Sequence, residues 1–348
     1  MKAIIKPTAA PGLTLVDKPQ PVPGPGDVLI EVKTTTVCGS DLHIESWDEW
    51  AASHVKPPMT IGHEMCGTVR ELGPGATGVK PGDFVSVETH FVCGRCKPCR
   101  TGNAHVCKDL KILGVDVDGS FAQFVTVPAS SCWINDPGLK PEWASLQEPF
   151  GNAVDTVFAE EITGKTVLLT GCGPIGLMGV AIAKAGGAQW VAAMDTNPAR
   201  LTLAKQMGAD FVYNPKDTDV HAALLEKTRG EGVEVLLEFS GAAAALHTGL
   251  ESLMTAGRVS MLGLYGKDVS LNFNRDLIMR AVRIYGITGR HIFATWYKTR
   301  ALLESGRINL DPLVSLRRPL TEYEPAFAAF RAGEAIKVAL FPNGMPAA

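Results

Sequence analysis

KTVLLTGCGPIG, residues 165–176, reads as a buried strand running into a glycine turn. A helical run, LMGVAIAKAG (177–186), follows it, then a second strand, WVAAMD (190–195), and a second helix, PARLTLAKQMG (198–208), opened by proline and closed by glycine. Further strands are expected at 233–239, 258–263 and 283–288, with the helix AAAALHTGLESLM (242–254) between the first two. Strands alternating with helices define an α/β chain with a doubly wound parallel sheet. In that context Gly171, Gly173 and Gly176 serve the tight turn, the close approach of backbone to a pyrophosphate, and the packing of helix on strand. The helix N-terminus then offers free N–H groups to phosphate. A structural turn in some other α/β fold is the alternative.

Asp195 closes the next strand nineteen residues after Gly176, where a carboxylate accepts hydrogen bonds from both adenosine ribose hydroxyls. Its charge repels a 2′-phosphate, so NAD is expected rather than NADP. Arg200 pulls the other way, since an arginine there can serve a phosphate, though it can equally flank the adenine. Ile175 in the turn, Leu262, Gly263 and Leu264 at the end of one later strand, and Ile287 and Thr288 at the end of the next complete the cofactor-binding set.

The first part of the chain has another rhythm. DVLIEVKTT (27–35), MCGTVREL (65–72), DFVSVET (83–89) and FAQFVTV (121–127) read as strands separated by Gly/Pro turns such as PGPG (23–26) and KPGD (80–83). Near the C-terminus, helices at 294–306 and 325–333 precede the apolar strand KVALF (337–341). The expected organisation is a β-rich domain of residues 1–153 completed by 296–348, with a dinucleotide domain, 154–295, inserted between.

Composition narrows the function. The chain has 348 residues, 46% hydrophobic and 20% charged, so it folds rather than remaining disordered. Its formal charge of −3 offers no basic field for nucleic acid and no polybasic membrane anchor. The opening MKAIIKPTAAPG breaks at Pro7 and is too short in its apolar run for a signal sequence. No run reaches the roughly 18 to 20 apolar residues of a membrane span. A cytoplasmic location is expected, where the eight cysteines should be thiols rather than disulfides.

Four of those cysteines, Cys93, Cys96, Cys99 and Cys107, fall within one loop. Such spacing lets thiolates close on a tetrahedral zinc, and four sulfurs fill every position of a structural ion. An iron–sulfur cluster or a metal-free loop are the alternatives. A second group is less obvious. Cys38 in VCGSDLHI and His63-Glu64 in IGHEMCG together supply a thiolate, an imidazole and a carboxylate, which would leave zinc the exchangeable position that catalysis requires. Each taken singly also reads as an ordinary structural residue, and Cys66 is a competing thiol placed for burial in a strand.

Cys38-Gly39-Ser40-Asp41-x-His43, Gly62-His63-Glu64, the four-cysteine lobe and the Gly171–Gly176 turn occur here in one order. The ensemble resembles the zinc-dependent medium-chain alcohol dehydrogenase superfamily over essentially the whole chain. Trp47-Asp48-Glu49-Trp50, Glu148-Pro149-Phe150-Gly151-Asn152-Ala153-Val154 and Gly289-Arg290 with Thr295-Trp296 are similar to its threonine-oxidising branch. The resemblance implies a GroES-like catalytic domain beside the Rossmann domain, and two zinc ions per subunit. The catalytic zinc would rest on Cys38, His63 and Glu64, with Glu148 close by as an exchangeable ligand or proton-relay group. It implies oxidation of the secondary hydroxyl of L-threonine to 2-amino-3-oxobutanoate, with hydride passing to NAD.

In that scheme zinc acidifies the hydroxyl, Ser40 accepts its proton, and His43 releases it to water by way of the nicotinamide ribose. Serine stands at 40 where the family usually has threonine, and Asp155 where it often has histidine; serine keeps the hydroxyl a relay needs. His90 and Asn152 are candidate substrate contacts, and a homotetramer is implied. Oxidation of a polyol or 2,3-butanediol is the alternative function, and a non-catalytic zinc- and nucleotide-binding protein the remote one.

Overall fold

The structure, a computed structural model, describes residues 1–345. The chain divides into two compact units, residues 1–148 with 313–348 and residues 149–312. The sequence-based expectation has the boundaries at 153/154 and 295/296.

The unit of residues 149–312 is built on six parallel strands. Across the sheet they run Phe211–Tyr213, Trp190–Met194, Thr166–Thr170, Val233–Glu238, Leu253–Met261 and Arg283–Gly286. Numbered along the chain this is the order 3-2-1-4-5-6, with the reversal between Thr166–Thr170 and Val233–Glu238. The central strands are buried nearly throughout, as a sheet covered by helices on both faces requires. Leu168, Ala192, Leu236, Leu246 and Val259 share its core. The helix Pro174–Ala185 starts with Gly173 as its cap and proline inside its first turn. A Cβ on Gly176 would lie 1.9 Å from the Gly171 carbonyl oxygen, so only glycine lets this helix close onto the turn.

Among the elements with no counterpart in the sequence-based expectation are the strand Phe211–Tyr213 and the helices Val220–Lys227, Gln147–Val157 and Phe273–Asp276. The strand is three half-buried residues at a sheet edge, too short for a periodic signal. Leu253 and Met254, expected as helix, instead open a strand, because Leu253 pairs with Val233 in the parallel ladder.

In the other unit a seven-stranded sheet is organised around Asp27–Thr36. This strand pairs antiparallel with Glu64–Leu72, with Phe124–Pro128 and with Lys337–Phe341 from the chain's far end. The registers set Thr36 opposite both Glu64 and Ala339. The end of one strand and the beginnings of two others therefore meet at one sheet end, immediately beside Cys38 and His63. A smaller sheet joins Thr14–Asp17, Lys2–Lys6 and Met59–Thr60. The pair His90–Phe91 and Lys111–Ile112 carries the cysteine loop.

Backbone crosses backbone just before His63. Gly62 has φ +91° and Gly114 φ +73°, and a Cβ on Gly114 would fall 2.3 Å from the Gly62 carbonyl oxygen. Gly119 presses on the same carbonyl, while Ser120 N–H donates to it at 2.8 Å. Gly114→Ala should therefore cost about 2–5 kcal/mol, combining left-handed strain of about 1–2 with overpacking of about 1–3. Urea denaturation checks this, and a loss below about 1 kcal/mol would show that the crossing relaxes freely.

Candidate active site

Cys38 caps the helix Gly39–Ser46, and the Asp41 carboxylate in its first turn accepts from the Cys38 N–H at 2.8 Å. One donor atom each of Cys38, His63 and Glu64 lie within 4.8 Å of one another. Donors around a tetrahedral zinc stand roughly 3.5 Å apart given ordinary bond lengths, so small side-chain movements would close this set on an ion. His63 and Glu64 are buried.

The electrostatics fit a cation. Burial works to discharge His63, but the Cys38 thiol, bonded to it and bearing charge, with Asp41 and Glu148 beyond, pushes its pKa up to about 10. The neighbours of this imidazole favour positive charge at the site. The Nδ1 of His63 is buried without a hydrogen-bond partner, 3.9 Å from an equally unpartnered Asp41 oxygen. A carboxylate behind an imidazole is the usual outer partner of a metal-ligating histidine. Burial raises the Asp41 carboxyl to about 6.

Glu64 has a partner that the motifs did not announce. Lys337, at the start of the C-terminal strand and 2% exposed, places Nζ 2.6 and 2.5 Å from the two Glu64 oxygens. Its third contact is the Val37 carbonyl, and the Thr36 hydroxyl also donates to Glu64. Burial alone would strip the lysine of its proton, but Glu64 and the Cys38 sulfur overcome it and the net pKa is raised. The only trace in sequence is one lysine opening the apolar run KVALF. Asp41 had a clearer one, its place three residues after Cys38.

Ser40 and His43 lie three apart on the helix Gly39–Ser46 and so share a side of it. Ser40 is half-buried and His43 exposed. The His43 Nδ1 is 2.5 Å from an Asp48 oxygen. Asp48 also caps the next helix through Ala51 N–H, which holds its carboxyl below the usual range. Trp50 stands 6.0 Å from the His43 ring. The Trp47–Trp50 segment thus orients His43 as well as forming a turn. Glu148 is buried, and its charge reaches both His63 and Lys337. The His90 ring sits 3.0 Å from Glu88. Asn152 accepts from Arg290 at 3.3 Å, and Asp155 accepts from the His291 ring at 2.6 Å.

All four cysteines of the loop are free thiols with their sulfurs gathered within 4.8 Å. Cys96 Sγ is 3.4 Å from Cys99 Sγ and 3.8 Å from Cys107 Sγ, far beyond a disulfide bond. Backbone N–H groups point at the sulfurs: those of Cys99 and Lys108 bring Cys96 down to about 6, and those of Arg95 and Cys96 lower Cys93. Cys99 goes the other way, pushed by burial to about 12. Four sulfurs gathered this closely match the donor set of a tetrahedral metal site. Cys66 is absent from both groups. It is fully buried, bonded to the Pro141 carbonyl, and burial raises it to about 12.

In the other unit, a cavity of about 290 Å³ opens at the glycine turn, lined by Gly171, Gly173, Asp195, Arg200 and Ser240 among others. Asp195 is clamped by backbone: one oxygen takes the Cys172 N–H at 2.7 Å and the other the Asn197 N–H at 2.8 Å. Arg200 lies 4.0 Å from it, with a buried Nε that has no hydrogen-bond partner. Ile175 is in the first turn of the helix that follows. Leu262, Gly263 and Leu264 follow the strand Leu253–Met261, while Ile287 and Thr288 follow Arg283–Gly286. None of these six lines the cavity.

Comparison with known proteins agrees with this geometry. Residues 24–136 match the alcohol dehydrogenase GroES-like domain, and residues 174–305 the zinc-binding dehydrogenase domain. The chain belongs to the zinc-dependent medium-chain alcohol dehydrogenase superfamily. It is 52% identical over 339 residues to an L-threonine 3-dehydrogenase of Pyrococcus abyssi, covering 97% of each chain. To that of Bacillus velezensis it is 45% identical, covering 98% of this chain and 99% of the relative. Among solved structures, 2R,3R-butanediol dehydrogenase of Bacillus subtilis superposes with a TM-score of 0.88 at 28% identity, over 98% of this chain and 99% of that one.

The Lys337–Glu64 pair yields a direct test. Lys337→Met should destabilise the metal-free protein by about 3–5 kcal/mol, because a buried carboxylate is left unpaired. Adding Glu64→Leu should recover most of that loss in a double-mutant cycle. Simple addition of the two losses would show that the pair carries no coupling.

Proposed function

We propose that this protein oxidises the secondary hydroxyl of L-threonine to 2-amino-3-oxobutanoate, with hydride passing to NAD. The carrying observation is the convergence of Cys38, His63 and Glu64 beside the helix that bears Ser40 and His43. Extended similarity to L-threonine 3-dehydrogenases supports threonine as the substrate. Glu148 acts from nearby as a proton-relay group, and Asn152 and His90 contribute to recognition of the amino acid.

When bound, zinc would polarise the substrate oxygen and NAD would accept the hydride. The protein's own residues manage the proton. Ser40 accepts it from the substrate hydroxyl while releasing its own hydroxyl proton outward along a relay that ends at His43, which, exposed to solvent and oriented by Asp48, gives a proton to water. Lys337 holds Glu64 in place from behind, and the Asp41 carboxylate stands behind His63 at 3.9 Å. The clamped Asp195 supports NAD over NADP, because its carboxylate is fixed facing the pocket where a 2′-phosphate would stand. Leu262–Leu264, Ile287, Thr288 and Ile175, which lie outside that cavity in the loops after two strands and in the first turn of a helix, are read as further cofactor contacts.

A second zinc occupies the four-cysteine lobe as a structural ion, and the free thiols suit a cytoplasmic location. No helix among the described residues is long and apolar enough to cross a membrane. Self-association, which a homotetramer requires, is supported by the edge strand Arg283–Gly286, which among the described residues pairs on one side only and carries an exposed Ile284. Leu264, Phe273, Ile278 and Met279 are also exposed, and such residues invite a second copy.

NADH formation should be at least about tenfold more efficient with L-threonine than with 2,3-butanediol or sorbitol, a difference of about 1.4 kcal/mol, and similarly better with NAD than NADP. Faster turnover of the diol would replace threonine by the butanediol reading. Metal analysis separates the two zinc sites: Cys38→Ser should lose one equivalent and nearly all turnover with little change in Tm. Cys93→Ser should lose the other equivalent and lower Tm by several degrees. Equal Tm losses would contradict the division of roles.

A further inference from the structure

The carboxylate of Glu238 is fully buried at the carboxyl end of the central strand Val233–Glu238, where the sheet order reverses. Among the described residues no lysine or arginine lies within ion-pair distance of it. Its neutralisation comes from hydrogen-bond donors instead. Oε1 accepts the Ser240 N–H at 2.8 Å, the Ser240 hydroxyl, the Gly241 N–H at 3.1 Å and, at 3.4 Å, the Thr170 hydroxyl. Its backbone carbonyl accepts from Leu262 and Gly263 at 2.9 and 3.1 Å. The Tyr265 phenol is held neutral beside it, its pKa raised by burial and by the Glu238 charge.

These contacts converge on the rim of the dinucleotide cavity. A Cβ on Gly171 would fall 2.7 Å from Ser240 N and Cα, so the glycine turn rests on the Ser240 backbone. A Cβ on Gly263 would lie 2.3 Å from Gly241 N and 2.5 Å from Glu238 Oε2. The side chain therefore ties Thr170 before the glycine turn to Ser240–Gly241 in the next loop, while Gly263 in the loop after bonds the Glu238 backbone carbonyl and leaves room for the carboxylate. A buried anion without a cation is costly, and successive backbone N–H groups curled around it form the kind of nest that makes it tolerable.

We propose that Glu238 is a positioning residue for the dinucleotide site, its carboxylate locking the Ser240–Gly241 loop against the Gly171 turn so that the cavity is preformed. This rests on reading that cavity as the NAD site. A glutamine there keeps the shape and a carbonyl oxygen for the donors on Oε1, but it removes the charge that strengthens those bonds and sets an N–H₂ at the Oε2 position, facing the Gly241 N–H.

The test uses the full chain, with NADH binding followed by fluorescence titration and thermal unfolding measured in parallel. Glu238→Gln should weaken NADH binding about tenfold, equivalent to about 1.4 kcal/mol. Its KM for NAD should rise much more than its kcat falls, and Glu238→Asp, which retains the charge, should recover part of the affinity. Ser240→Ala, which removes one donor and leaves the backbone contacts, should weaken NADH about threefold. A folded Glu238→Gln protein binding NADH within about twofold of the parent overturns the proposal. If that variant does not fold, Ser240→Ala with unchanged affinity overturns it. No NADH binding by the unsubstituted protein would overturn the dinucleotide reading as well.

Discussion

Antiparallel pairing of Asp27–Thr36 with both Glu64–Leu72 and Lys337–Phe341 is the constraint from which the candidate metal centre follows. An antiparallel ladder sets the end of one strand against the start of its neighbour. Residues 36, 64 and 337, far apart along the chain, thereby arrive at one sheet end. The chain leaves Thr36 directly into a helix capped by Cys38, and it enters Glu64 through a glycine crossing that aims His63. A one-residue slip in either ladder would turn Glu64 or Lys337 to the opposite face and dissolve the cluster.

Two buried carboxylates show two ways of keeping a charge out of water. Glu64 is neutralised by a lysine ammonium and a threonine hydroxyl, Glu238 by backbone N–H groups and hydroxyls. The first arrangement supports a site meant for a cation, since the lysine orients the carboxylate without covering the thiolate and imidazole. The second suits a site meant for a neutral or anionic ligand, because the N–H groups it engages lie in a turn that must hold its shape. Asp195, clamped by Cys172 and Asn197, follows the second pattern at the opposite edge of the cavity.

Much of this is legible in the residues for plain reasons. Strand–glycine turn–helix punctuation is local, so the α/β class and the parallel sheet can be read from residues 165–208 and agree with the structure. The four-cysteine loop is local too. What escapes is either short or distant: the edge strand Phe211–Tyr213 lacks enough residues for a period, and Leu253 is strand only because Val233 lies beside it. Lys337 resembles any lysine near the start of a strand, and its link to Glu64 spans 273 positions.

Residue order alone therefore determined the two kinds of architecture, the clustering of the four cysteines and the turn chemistry, because each depends on neighbours within about twenty positions. Tertiary structure decided which carboxylates are paired, which are caged by N–H donors and which imidazole is pushed toward its charged form. Those properties arise from burial and long-range contact, and no local pattern encodes the dielectric around a side chain.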